Sequence, residues 1–398
     1  MSATKKNRKS KAAKHHIETR LTTVGRNPAA CHGFVNPPLY RGSTVLYSSV
    51  AAFKGHNQEY TYGRRGTPTI RALEAAISEL EGGAHTVLTS SGLSACATCL
   101  LAVLNSGGHL LMTDSVYQPV RTICERVLKR LGVEVTYYDP LIGGGVKDLI
   151  RDNTLLVYTE TPGSQTFEMQ DLPAIAQAAH GRGVPVAADN TWGSPLYCNP
   201  LKLGADMVIH AGTKYFCGHS DANLGSVTST EPLAKQLRQT HGDLGQCPGP
   251  EDAQLCLRGL RTLSVRLEHH QRAALEMANW LVQRPEVDRV IHPAREDHPG
   301  HDLWKRDFTG SSGLFSIVLN PCSESAVAAM LDDLELFGMG ASWGGYESLV
   351  IPFDPAGYRT ATVWEAEGQA LRFFIGLEDV EDLKADLDAG FARLRKAG

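Results

Sequence analysis

The chain has 398 residues, of which 42% are hydrophobic and 21% charged, and its formal net charge is −4. Such totals suit a globular protein of one large and one smaller domain, and they exclude nucleic-acid binding driven by bulk charge. No apolar run approaches the roughly 20 residues of a membrane span, and no apolar stretch follows the first charges as a secretory signal would require. In chain order, six bases (Lys5, Lys6, Arg8, Lys9, Lys11 and Lys14) precede the first acid, Glu18. They read as a solvated tail, with a nucleic-acid or membrane-surface arm as the alternative. Residues 1–65, with Pro37-Pro38 and several glycines, read as this basic tail and an extended arm without a periodic helix. A helix is predicted next. Thr67 can cap it, Pro68 suits its first turn, Leu73, Ala76, Ile77 and Leu80 share one face, and Gly82-Gly83 stops it.

From there to about residue 228 apolar strand candidates fall at 86–89, 110–113, 133–138, 155–160, 184–189 and 207–211. Helical stretches at 95–104, 120–131 and 172–180 lie between them. This alternation predicts an α/β fold with a mostly parallel sheet in a large domain, residues 66–258. Ligands of such sheets bind beyond the carboxyl ends of the strands. Ser90-Ser91-Gly92, Glu160, Asp189 and Lys214 all fall at strand ends or just past them. A long helix at 254–283 leads into a smaller α+β C-terminal domain, residues 259–398, with strands at 316–319 and 370–375. The last helix follows Asp379, with Glu381 and Asp382 at its start and Arg393, Arg395 and Lys396 at its end, as the helix dipole favours.

Lys214 comes just past a strand, beside the small residue Gly212 and the hydroxyl of Thr213. A lysine so placed can form a Schiff base with an aldehyde cofactor. Asp189 ends the strand before it, and a carboxylate there could keep a pyridine nitrogen protonated. Ser91-Gly92-Leu93 opens a helix after a strand, where exposed amides suit an anion. It is not the Gly-x-Gly-x-x-Gly fingerprint, and no nucleotide P-loop occurs. Nine scattered cysteines read as thiols of a reduced, cytoplasmic protein. Cys96 and Cys99 read as core residues of one helical face, because no second ligand pair stands at zinc-like spacing. Tyr62 and Arg64 combine a phenol with a guanidinium fork suited to a phosphate. The glycine- and aromatic-rich loop at 342–348, paired with Arg372, could hold a carboxylate.

Tyr62-Gly63-Arg64, Ser91-Gly92, Val116-Tyr117, Glu160-Thr-Pro-Gly-Ser164, Asp189-Asn-Thr-Trp192, Thr213-Lys214-Tyr215 and the 342–348 loop occur in order and at fitting intervals. In this set the chain resembles the cysteine/methionine-metabolism family of pyridoxal-phosphate enzymes, fold type I, from about residue 20 to the C-terminus. The resemblance implies pyridoxal 5'-phosphate held covalently by Lys214, with Asp189 on its ring nitrogen and Tyr117 stacked on the ring. Tyr117 would also take a proton from the incoming amine. It implies a phosphate site made by Ser91, Gly92, Leu93 and Thr213, with Tyr62 and Arg64 reaching in from a neighbouring subunit of a homotetramer with shared sites. Arg372, Ser342, Trp343, Ser164 and Tyr62 would meet an amino-acid thioether substrate.

The implied activity is α,β-elimination at a carbon–sulfur bond, releasing homocysteine, pyruvate and ammonia from L-cystathionine. That would place the chain in methionine biosynthesis, with no nucleic-acid or membrane partner. Glu160-Thr-Pro-Gly-Ser164 and Ser342-Trp343-Gly344-Gly345 favour this over the γ-acting relatives, which commonly read Glu-Ser-Pro-Thr-Asn-Pro and often Ser-Leu-Gly-Gly. A γ-acting lyase or synthase and a broader cysteine or cysteine-conjugate β-lyase are the alternatives. A regulatory or nucleic-acid-binding module using the basic tail is the rival from another class. Two departures stand out: Ala211, where many members place a phosphate-binding serine, and Ala341, where β-lyases carry tyrosine beside the distal pocket.

Overall fold

The computed structural model describes residues 15–397, so the basic run at 5–14 lies outside the described residues. Seven strands form one sheet: β1 (His85–Thr89), β2 (His109–Thr113), β3 (Glu134–Tyr138), β4 (Thr154–Glu160), β5 (Val186–Asp189), β6 (Met207–Ala211) and β7 (Gly225–Ser229). Their order is β1-β7-β6-β5-β4-β2-β3. The pairs among β2 to β6 are parallel, while β7 runs antiparallel to β6 and to β1. Two reversals cancel, so β1 points the same way as β6. The carboxyl ends of β1, β2, β4, β5 and β6 therefore share one edge.

Both faces of this sheet are buried, as a parallel sheet requires. Leu111, Val157 and Val186 pack on one face, and Met112, Leu156 and Ile209 on the other. All six predicted strands are present. The strand missing from the sequence reading is β7, whose Gly-Ser-Val-Thr-Ser carries one large apolar residue. Its five residues are nonetheless all buried, and Thr228 Oγ1 lies 2.8 Å from Thr86 Oγ1.

The helix Pro68–Glu81 forms as its caps predict. Thr67 accepts from the Ile70 amide, and Gly82 takes a positive φ of 75° at the stop. The stretch expected as helix at 120–131 is helical over Gln118–Ile123, then widens into a π-turn at Cys124–Leu128. The helix expected at 254–283 is two helices, Pro250–Leu260 and Leu263–Leu281. The first packs backbone against backbone, since a Cβ on Gly259 would come 2.1 Å from the Phe216 carbonyl oxygen. The break at Thr262 lets Arg266 Nη2 donate to both Gly259 O and Tyr215 O at 2.8 Å. The described part of the arm is not wholly extended. It holds short helices at Ile17–Thr23 and Val50–Gly55, too brief to show a period in sequence. Leu21 anchors the first one in the core, and Arg261 Nη1 donates to its carbonyl at 2.8 Å.

A second sheet is antiparallel, with β8 (Val287–Ile291), β9 (Leu314–Leu319), β10 (Leu349–Phe353) and β11 (Ala370–Phe374) in the order β10-β11-β9-β8. The expected strands at 316–319 and 370–375 correspond to β9 and β11, and β8 and β10 complete the sheet. The helix Val380–Ala397 covers it, burying Leu383 and Leu387 beside Phe315 and Phe373. No helix among the described residues is long and apolar enough to cross a membrane.

Candidate active site

A cleft of about 390 Å³ opens at the shared carboxyl edge of the large sheet. Ser91, Gly92, Leu93, Tyr117, Ser164, Asp189, Thr213 and Lys214 enter it from that sheet's loops, and Ser342, Trp343 and Arg372 from the small sheet's side. Tyr62 and Arg64 stand apart, lining a separate cleft of about 560 Å³ with Tyr40, Arg41 and Cys247. The Arg64 guanidinium lies 5.6 Å from the Tyr62 ring centre and donates to Gly242 O at 3.1 Å.

Lys214 sits in the turn after β6, where its amide donates to Ala211 O at 3.0 Å. Gly344 passes directly over it. A Cβ there would come 3.0 Å from Lys214 Cα, and the φ of +91° favours glycine as well. Lys214 Nζ donates to Ser342 Oγ at 2.5 Å and lies 5.4 Å from the Trp343 ring centre. Burial, then the positive charge of Arg372, pulls the Lys214 ammonium down to about 8, against the opposing pull of Asp189. A minor fraction is therefore neutral amine near neutral pH, far more than an ordinary lysine would hold, and that form can serve as nucleophile or base.

Asp189 ends β5. Its Oδ1 accepts from the Thr191 amide at 2.9 Å and from Thr191 Oγ1 at 2.6 Å. The Ala211 amide donates to the same Thr191 oxygen at 3.0 Å, which directs the hydroxyl proton toward Asp189. Thr191 thus bridges the strand ends that deliver the acid and the lysine. Oδ2 is the less committed oxygen, with the Cys96 thiol 3.9 Å away. Burial pushes the Asp189 carboxyl up, and the Thr191 bonds pull it back. Across the β4–β5 register sits Glu160, a second half-buried carboxyl pushed well up by burial and then by Asp189. Glu160 Oε2 accepts from the Tyr117 amide at 2.7 Å. Two half-buried acids side by side disfavour a second negative charge, and a cation at Oδ2 would relieve that.

The helix Gly92–Val103 begins at the cleft, capped by Ser91, whose Oγ accepts from the Ser94 amide at 3.2 Å. The amides of Gly92 and Leu93 are its first two and have no partner within the helix. Gly92 faces Ala211 closely, and a Cβ on it would come 2.5 Å from the Ala211 Cβ. Thr213 Oγ1 exchanges hydrogen bonds with the Leu224 backbone, accepting at 3.0 Å and donating at 3.2 Å. Arg372, on β11, gives Nη2 to Gly340 O at 2.9 Å and to Ser342 O at 3.0 Å. Its Nε is buried with no partner. Nη1 reaches Ala341 O at 3.5 Å, so the Nε proton is the one left to meet a carboxylate oxygen.

A neutralisable lysine, a carboxylate with one open oxygen, and helix-start amides fit an aldehyde-bearing pyridine with a phosphate arm. The sequence profile described as Cys/Met metabolism PLP-dependent enzyme matches residues 18–392. The chain belongs to this family. Members of the Cys/Met metabolism family use pyridoxal phosphate (PLP), which is this chain's cofactor. A Rhizobium johnstonii relative is 51% identical over 380 residues, covering 94% of this chain and 96% of its own. Cystathionine beta-lyase MetC of Escherichia coli is 43% identical over 390 residues, covering 95% and 98%. Among solved structures, cystathionine gamma synthase of Xanthomonas oryzae pv. oryzae superposes with a TM-score of 0.88 at 34% identity, covering 96% and 100%.

The sequence reading assigned no role to Thr191 and left Cys96 as core. Thr191 had a local signal, since a hydroxyl two residues after an acid can fold back on it. Cys96 had none, because its contact with Asp189 spans 93 residues.

Proposed function

We propose that this PLP enzyme is a carbon–sulfur β-lyase that cleaves L-cystathionine, with water, to homocysteine, pyruvate and ammonia. The observation that carries the reading is the Lys214 amine, hydrogen-bonded to Ser342, sharing one cleft with the unpartnered Nε of Arg372. The β-acting direction rests on the 43% identity to a cystathionine beta-lyase, against 34% to the γ-synthase.

Arg372, through its unpartnered Nε, would hold the substrate α-carboxylate, with Ser164, Ser342 and Trp343 beside it. Tyr117 would flank the cofactor ring; burial, then Glu160, pushes its phenol up, which favours a protonated donor there over a base for the incoming amine. Asp189 Oδ2 would keep the ring nitrogen protonated, and Gly92, Leu93 and Thr213 would hold the phosphate. When bound, PLP supplies an electron sink for the charge left at the substrate Cα. Lys214 Nζ removes the Cα proton, with Ser342 fixing its position. The Cβ–S bond then breaks, and Lys214 returns a proton to the leaving thiolate. Product analysis on L-cystathionine tests this: pyruvate with homocysteine is expected, whereas 2-oxobutanoate would place the enzyme among the γ-acting lyases. Relative kcat/KM for cystathionine, cysteine and cysteine conjugates ranks the broader β-lyase alternative.

The same reading makes the chain a cytoplasmic homotetramer in methionine biosynthesis, with Tyr62 and Arg64 completing a neighbour's site. Their exposure outside the Lys214 cleft supports a shared arrangement. Mixing Arg64→Ala with Lys214→Ala subunits should then restore turnover above the sum of the two separate variants. No gain in oligomers proven to be mixed would remove the shared site.

A further inference from the structure

The wall of the cleft opposite Lys214's own strand is the loop 161–168, which contributes Pro162, Gly163, Ser164, Gln165 and Phe167. Gln165 and Phe167 hold φ values of 65° and 56°. Residues with a Cβ seldom adopt this left-handed region, and they keep it only where the surroundings impose it. Some of the imposition is local, as in Phe167 N donating to Gly163 O at 3.0 Å. The Ser164 amide is also held from the large-sheet side, donating to Ser115 O at 2.8 Å, and further bonds arrive from the C-terminal part of the chain. Ser316 Oγ donates to Gln165 O at 2.7 Å, and Arg359 Nη1 donates to Glu168 Oε1 at 2.6 Å. Arg359 Nη2 also reaches Thr166 Oγ1, which itself donates to Glu168 Oε2 at 2.6 Å. The Arg359 side chain is 3% exposed.

Arg359 belongs to a segment that crosses from β10 back to the large sheet and is fastened there. Asp114, fully buried just past β2, accepts from the amides of Thr360, Ala361 and Thr362 at 3.1, 3.0 and 2.8 Å. It also accepts from Thr362 Oγ1 and from Arg121 Nη1, both at 2.8 Å. The segment is therefore held at Asp114 and presses its arginine into the loop at Glu168.

We propose that Arg359 is a positioning residue for substrate: acting through Glu168 and Thr166, it holds Ser164 and Gln165 in place on the cleft wall. The proposal rests on the lyase reading only for the identity of the molecule that meets that wall. Arg359→Met keeps length and removes the fork, and Glu168→Gln removes the charge it meets. Both variants should load cofactor with unchanged visible absorbance. Both should raise the KM for cystathionine about tenfold while kcat falls by less than about threefold, the pattern of lost ground-state binding. The apparent Kd for glycine, read from the absorbance of bound cofactor, should rise by a similar factor. That readout still decides the matter if cystathionine proves not to be the substrate. Arg359→Lys should recover only part of the loss, because an ammonium cannot bridge both partners as the fork does. Unchanged Kd and KM in whichever of the two variants folds, with or without a lower melting temperature, would overturn the proposal and leave a purely structural clasp.

Discussion

Lys214→Ala is expected to fold, to retain no covalently attached cofactor, and to lose roughly 10⁴-fold in kcat, the upper range for removing a group that moves protons in the reaction. The fold should survive, because the amide bond of Lys214 to Ala211 O does not depend on the side chain and removing a half-buried ammonium relieves a burial cost. The wild-type apoenzyme carries a further expectation. Burial and Arg372 bring the Lys214 ammonium down to about 8. Only the neutral amine has the lone pair needed to attack an aldehyde. Below that value the amine is mostly protonated, so capture of cofactor should accelerate as pH rises through about 8 and then level off. The rate at which visible absorbance develops in apoenzyme, followed against pH, measures this. A flat profile across that value would show that the amine is not held as the cleft implies.

The second large effect is expected from Asp189→Asn. The substitution keeps shape and removes charge, and Thr191 decides what it does. The Thr191 amide and hydroxyl both donate to Oδ1. An asparagine in this place must present its oxygen to them and turn its NH₂ to where Oδ2 stood. On the proposed reading, the group that would face the ring nitrogen becomes a donor and can no longer hold a proton there. Cofactor should still load, since Lys214 and the start of the helix Gly92–Val103 are untouched. We expect kcat to fall about 10²- to 10³-fold, as when one charge-stabilising partner is removed from an enclosed site. The pH titration of cofactor absorbance should shift with it. Wild-type kcat in this variant would remove Asp189 from the mechanism.

The strands of the large sheet and the residues at their ends were legible because each signal is local. A parallel strand buried on both faces is a short apolar run, and a lysine or acid at its end is visible in the same few residues. What was not legible depends on partners far apart in sequence. β7 reads as a polar stretch until Thr86 arrives to meet Thr228, 142 residues away. The break at Thr262 has no proline to announce it and comes from the close pass of Gly259 over Phe216. Arg359 and Glu168 stand 191 residues apart, and Thr362 and Asp114 stand 248 apart. No period or spacing connects them, so the segment after β10 reads as an ordinary loop. Lys214 and Asp189 were readable from strand ends, whereas the hydroxyl relay between them required the register of β5 against β6.

The cleft draws its two grips from different sheets. Asp189, Lys214 and the Gly92 amides belong to the large one, while Arg372 and Ser342 ride on the small one. On the proposed reading, the cofactor is gripped from one sheet, while the substrate α-carboxylate and the position of the Lys214 amine depend on the other. Substitutions in β10, β11 and the turns around them that move Ser342, Gly344 or Arg372 would therefore reach the reactive amine as well as the substrate.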